Sequence, residues 1–275
     1  MTSFPLKSWA PSVHASLTQI ISSSPGIVCF DFDNTLIRND FGEKIMDAVI
    51  SEGMLFLPDD LSSFFRDKDY WKNHRTKPIS EKEHLVWEEY TYQLKEFGVE
   101  KGYRWTSFIF QGYTKDSFYD LSRRTWKKVA NLDEKLAVIP QREMLDLIQF
   151  LYSYDWKVYI VTASPESGIA AIARDFSIKE ENVIGMVQKK NPNGTYSHEI
   201  IEPYTYGEGK VKAIQSRIGE MPDLVFGDSF NDFPMLCYAN KLGVAIDKGN
   251  PDFVKACSEK AIAIQPYFTL TAQTK

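Results

Sequence analysis

The sequence predicts an α/β protein built on a parallel sheet and interrupted by a long helical insertion, and three observations carry that expectation. Ile27-Val28-Cys29-Phe30, Val158-Tyr159-Ile160-Val161 and Leu224-Val225-Phe226 are short apolar runs with no polar alternation, the pattern of strands buried on both faces. Segments with helical spacing separate the later runs, as in repeated strand–helix units. Between 38 and 137 no such strand occurs, while Phe41, Ile45, Ala48 and Val49, then Leu85, Trp87, Tyr90 and Leu94, recur at helical intervals.

Each element has a local reason. Residues 7 to 22 carry Ala15, Leu17, Ile20 and Ile21 at helical spacing behind Pro11, which suits a first turn. Pro25-Gly26 then opens the first strand. After the insertion, Met144, Leu145, Leu147, Ile148 and Leu151 mark a helix that precedes the second strand. Thr162 is expected to end that strand, Ser164 to cap the next helix and Pro165 to occupy its first position. Strand-like segments 183–187 and 196–201 flank Asn193-Gly194, a dipeptide that favours a tight hairpin turn. A helix carrying Val211, Ile214 and Ile218 ends at Gly219. Val244-Ala245-Ile246 and Ala261 to Ile264 supply the remaining strands.

Composition narrows the function. The chain has 275 residues and a net charge of -5, which disfavours nucleic acid as the main partner. Three scattered cysteines, Cys29, Cys237 and Cys257, have no ligand-like spacing and read as free thiols of a reducing compartment. No apolar run is long enough for a signal peptide or a membrane span, so a cytoplasmic location is expected. His14, His74, His84 and His198 match no ligand spacing.

The chemistry-bearing residues stand at strand ends. Asp31 and Asp33 follow the first strand, Thr162 the second, and Asp228, Asn231 and Asp232 the third. In a parallel sheet all C-terminal ends share one edge, where ligands bind. Lys210, early in its helix, reaches the same edge, with Lys212 as an alternative. Two acids as close as Asp31 and Asp33 repel each other unless a cation or a shared proton intervenes, which points to a metal. Carboxylates, a hydroxyl and an ammonium together match phosphoryl transfer to an aspartate.

These residues form four ordered motifs: Asp31-Phe32-Asp33-Asn34-Thr35, Thr162, Gly207-Glu208-Gly209-Lys210 and Gly227-Asp228-Ser229-Phe230-Asn231-Asp232. In this the chain resembles the haloacid dehalogenase superfamily, and the helical insertion after the first motif is similar to the type-1 cap of its phosphoserine phosphatase-like branch. Arg38-Asn39-Asp40, the run Thr162-Ala163-Ser164-Pro165-Glu166 and the aromatic-rich insertion further resemble bacterial phosphorylcholine phosphatases. The resemblance implies a Rossmann-like catalytic core at 1–37 and 138–275, with a helical cap at 38–137. It implies Asp31 as nucleophile, Asp33 as acid and base, and Thr162 and Lys210 as phosphate ligands. Mg²⁺ would be held at Asp31, Asp33 (through its backbone carbonyl), Asp228 and Asp232.

The implied substrate is a small phosphorylated metabolite, an amino-alcohol phosphate such as phosphocholine, phosphoethanolamine or phosphoserine, and no nucleic acid or membrane is implied. Asp40, Ser164 and Asn231 are the expected substrate contacts, although Asp40 equally suits a helix N-cap. The insertion holds 18 of the 38 aromatic residues, including Trp71, Trp87, Trp105 and Trp126. Most serve packing, and a few could box a quaternary ammonium. A phosphomutase, or a phosphate-binding protein without turnover, would use the same residues.

Overall fold

The computed structural model describes residues 4–6, 8–52, 55–57, 64–66, 76–133 and 136–269; Trp71 and His74 lie outside them. Helix α1 (Pro11–Ser23) starts at its proline and buries Val13, Leu17 and Ile21. Strand β1 (Ile27–Phe30) is buried along its whole length. A wide turn through Phe32–Leu36 follows, with Asn34 at φ 61°, a left-handed conformation that asparagine adopts more readily than most residues. The chain leaves through β2 (Ile37–Arg38) and returns through β3 (Ile139–Pro140), which pair antiparallel.

Among the described residues between them lie the α-helices α2 (Phe41–Ser51), α3 (Ile79–Phe97), α4 (Val99–Trp105) and α5 (Lys115–Val129). Of the expected apolar faces, Phe41, Ile45 and Val49 on α2 and Leu85 and Tyr90 on α3 are buried, while Ala48, Trp87 and Leu94 are half-buried against the core. Thr114 and Ser117 form a reciprocal capping box that starts α5. None of these helices, nor any other among the described residues, is long and apolar enough to cross a membrane.

The sheet resumes after α6 (Arg142–Tyr152). Strand β4 (Lys157–Pro165), helix α7 (Glu166–Ala170) and strand β5 (Val183–Met186) are followed by a hairpin of β6 (Gln188–Lys190) and β7 (Tyr196–Ile200). Then come α8 (Glu208–Arg217), β8 (Leu224–Gly227), α9 (Phe233–Cys237), β9 (Leu242–Asp247), α10 (Pro251–Glu259) and β10 (Ala263–Pro266). Six strands form one all-parallel sheet in the order β5-β4-β1-β8-β9-β10. The chain winds outward from β1 to β5, returns to β1's other side and winds outward again, which is the doubly wound arrangement.

Two local expectations are corrected. Segment 183–187 is not a hairpin arm: its residues join the central sheet beside β4, and the arm that pairs with β7 is Gln188–Lys190. The reason is burial, because all of β5 is inside whereas Lys189 and Lys190 are exposed. Thr162 does not end its strand either, since β4 continues to Pro165 with an irregularity in its pairing to β5. The hairpin itself docks on the helical insertion. Gly112 N donates to the Tyr196 carbonyl, Tyr196 N donates to the Tyr113 carbonyl, and Ser107 Oγ donates to the His198 carbonyl at 2.7 Å.

Candidate active site

Strands β1 and β8 are hydrogen-bonded neighbours at the point where the winding reverses, so their C-terminal ends open one crevice. Asp31 follows β1 and Asp228 follows β8. Together with Asp232 they place carboxylate oxygens within 4.8 Å of one another, and all three residues are buried. Residues nearly 200 positions apart in sequence thus become immediate neighbours.

Buried like charges need compensation, and Lys210 supplies it. Its ammonium is fully buried and donates to Asp31 Oδ1 and Asp232 Oδ1, each at 2.6 Å. Lys212 is exposed. The first turn of α8 is set by close packing, because a Cβ at Gly209 would stand 1.7 Å from the Tyr204 carbonyl oxygen. Asn231 Oδ1 accepts from Gly207 N at 2.8 Å, which ties the third-strand motif to that turn. Asn231 also lines the cleft.

Asp232 joins the cluster with both oxygens already engaged. Oδ1 takes Lys210, while Oδ2 accepts from Asp228 N, Ser229 N and Ser229 Oγ. It therefore orients the lysine and the Asp228 loop, and it remains one of the three carboxylates grouped closely enough to hold a metal ion. Asp33 turns its carboxylate away from the cluster, accepting from Phe41 N at 2.7 Å and from Ser164 Oγ at 2.6 Å. Ser164 accordingly does not cap α7, whose N-cap position is Pro165 with no side-chain cap. Thr162 is buried at the cleft and its Oγ1 accepts from Ser164 N. Asp40 caps α2, accepting from Glu43 N at 2.8 Å, and also lines the cleft.

The electrostatics follow from this crowding. Burial, then the Asp232 charge, holds the Asp31 carboxyl well above the ordinary carboxylate range, against the pull of Lys210. Asp33 is pushed up to about 7 by burial and then by Asp40, and Asp40 to about 7 by burial and then by Glu43. Asp228 rises to about 6 through burial and Asp232, with Lys248 opposing. Burial pulls Lys210 down, but the Asp232 and Asp31 carboxylates outweigh it and raise its pKa.

A carboxyl raised on folding holds its proton more tightly in the folded chain than in the unfolded one. Its stabilisation is complete below about pH 4 and fades as pH rises through the folded value. For Asp228, Asp33 and Asp40 that window runs up to about 6 to 7. In chelator, the urea midpoint is therefore expected to fall between pH 5 and pH 8. A midpoint that rises over this interval contradicts the assignment.

The crevice opens into a cavity of about 160 Å³, scaled to a small molecule. Its floor is Asp31, Asp33, Thr162, Ser164 and Asp228, and its far wall comes from the insertion: Glu43, Met46, Tyr90, Tyr103 and Phe110. None of the three described tryptophans of the insertion lines it. Trp87, Trp105 and Trp126 instead direct their indole N–H to Asp47, the Phe64 carbonyl and Asp175. The aromatic wall is made of tyrosines and phenylalanine.

Sequence reasoning missed Lys248, whose Nζ donates to Asp228 Oδ2 at 2.9 Å from the end of β9. The signal was available, since β9 is a further parallel strand ending on the same edge. Three buried carboxylates face two ammonium groups here, and Asp31 Oδ2 accepts no hydrogen bond among the described residues. Hard oxygen donors with surplus negative charge fit a hard divalent cation.

Residues 28–236 match the family of haloacid dehalogenase-like hydrolases, most of the chain and all four motifs. The chain belongs to that family. No curated protein matches it. Among solved structures, a conserved, functionally unknown protein of Anaerococcus prevotii DSM 20548 superimposes with a TM-score of 0.72 at 20% identity, over 96% of this chain and 94% of that one. A protein of unknown function from Bordetella pertussis Tohama I gives 0.63 at 14% identity, over 88% and 98%. A phosphoserine phosphatase in a phospho-aspartyl intermediate analogue gives 0.51 at 15% identity, over 88% and 93%. At these identities the likeness is one of fold. The haloacid dehalogenase-like assignment accounts for the placement of Asp31 and Asp228 beside one another.

Proposed function

We propose that the protein is a Mg²⁺-dependent phosphomonoesterase that hydrolyses a small amino-alcohol phosphate through an aspartyl-phosphate intermediate. The observation that carries this reading is the buried cluster of Asp31, Asp228 and Asp232 with Lys210 locked against it. The phosphoserine phosphatases that share its fold support it.

Asp31 attacks phosphorus through the oxygen that Lys210 does not hold, forming an acyl phosphate while the bond to the leaving oxygen breaks. Asp33 delivers a proton to that oxygen, and its pKa near 7 leaves a proton available at neutral pH. Once ionised, Asp33 takes a proton from water as the water attacks phosphorus, releasing phosphate and regenerating the Asp31 carboxylate. Ser164 holds Asp33 in place through its 2.6 Å bond. Thr162 supplies a hydroxyl to a phosphoryl oxygen. Asp31, Asp228 and the Asp33 carbonyl would hold Mg²⁺, which supplies neutralisation of the negative charge on the phosphoryl group.

The test is phosphate release from p-nitrophenyl phosphate and a panel of phosphomonoesters, with Mg²⁺ and with chelator. Release confined to the Mg²⁺ arm is expected. Equal release in chelator, or none anywhere on the panel, overturns the reading.

A further inference from the structure

We propose that Glu43, together with the hydroxyls of Tyr90 and Tyr103, reads the far end of the substrate, and that the group it takes is a primary ammonium. This rests on the phosphatase reading above and adds which residues set its specificity and which cation they select.

Asp40, the acid that sequence reasoning placed at the substrate, has Oδ1 committed to the Glu43 backbone N–H as an N-cap. Glu43, one turn along α2, lines the cleft and its carboxylate has no hydrogen bond or ion pair among the described residues. Lys44, next in sequence, pairs with Asp47 at 3.2 Å. Tyr90 is only 3% exposed, lines the same wall, and its hydroxyl has no partner among the described residues; the Tyr103 hydroxyl also has none. A carboxylate and two phenols that line one cleft without partners among the described residues are free to take up the polar groups of a ligand.

The geometry also selects the kind of cation. The Tyr90 ring is stacked on Trp105, with centroids 6.4 Å apart and planes at 24°, and meets Trp87 edge-on at 5.6 Å. Tyr103 packs edge-on with Tyr206 at 6.0 Å. These rings are spent on packing, so the tyrosines offer hydroxyls to the cleft more than π faces. A quaternary ammonium binds π faces and donates no hydrogen bond. A primary ammonium carries three donors, enough for Glu43 and both phenols. A substrate carboxylate in the same space would meet Asp40 and Glu43 as like charge.

The experiment compares kcat/KM for phosphoethanolamine, phosphocholine, phosphoserine and uncharged propyl phosphate, with p-nitrophenyl phosphate as the control for turnover. Phosphoethanolamine is expected to exceed each of the other three alkyl esters by about tenfold or more. Glu43→Gln should shrink its advantage over propyl phosphate by about tenfold, mainly through KM. Tyr90→Phe should narrow its advantage over phosphocholine. Phosphocholine or phosphoserine turned over as well as phosphoethanolamine, or ratios unchanged in both variants, would overturn the inference while p-nitrophenyl phosphate hydrolysis still upholds the phosphatase reading. No release even from p-nitrophenyl phosphate overturns both.

Discussion

Asp31→Asn is expected to abolish phosphate release, by on the order of 10⁴-fold or more, while leaving the fold intact. The amide has the shape of the carboxylate but cannot form an acyl phosphate. The site around it is held by other bonds: Lys210 keeps Asp232 Oδ1, and Asp232 Oδ2 keeps the Asp228 loop. Removing one of three crowded buried carboxylates also relieves repulsion, so metal-free stability should be unchanged or slightly higher. Single-turnover phosphate release alongside thermal unfolding separates the two effects. Persistent turnover in this variant would rule out an aspartyl intermediate.

Lys210→Met is expected to damage both activity and stability. Among the described residues the lysine is the one cation bonded to Asp31 and Asp232, and its side chain is fully buried. Removing one partner of such a network costs about 3–5 kcal/mol, because the remaining charges stay buried without compensation. The loss should grow with rising pH, as the crowded carboxylates ionise without their counter-charge, and shrink in acid, where protons replace the ammonium. Added Mg²⁺ should recover part of the stability and little of the activity, since it neutralises charge without orienting Asp31. Urea melts at pH 5 and pH 8, with and without Mg²⁺, check this. A variant as stable as the parent at pH 8 in chelator would show that Lys210 is not the counter-charge the geometry indicates.

Much of the site was legible because its residues sit at predictable places. Apolar runs without alternation mark strands of a covered parallel sheet, and such strands share one functional edge, so Asp31, Thr162 and Asp228 could be grouped before any coordinates. The glycine turn ahead of Lys210 favoured it over Lys212, and burial agrees, since both lie early in α8 and one turns inward while the other faces water. The task of Ser164 was misjudged. A serine ahead of a proline and a short helix looks like a cap, yet β4 runs three residues past Thr162 and carries its hydroxyl to Asp33 instead.

The insertion was the least legible part. Its helical character follows from periodicity, and α2 and α3 bury the faces that the spacing marks. Which of its aromatic residues face the cleft does not follow, because every amphipathic helix needs a core and sequence gives no direction to a ring once several helices compete for it. Trp87, Trp105 and Trp126 turned to packing, and the cleft wall fell to Tyr90, Tyr103 and Phe110 beside Glu43, whose carboxylate has no partner among the described residues.

The sequence by itself determined the alternation of elements, the strand-end acids and the haloacid dehalogenase-like chemistry, because these depend on residue type and local period. Tertiary structure alone decided which carboxylates touch, which lysine is buried between them, that Lys248 meets Asp228, and which polar groups of the insertion are left for a ligand. The division has one physical cause. Local propensity acts over a few residues along the chain, whereas burial and charge compensation are settled between segments that meet only after the sheet has wound.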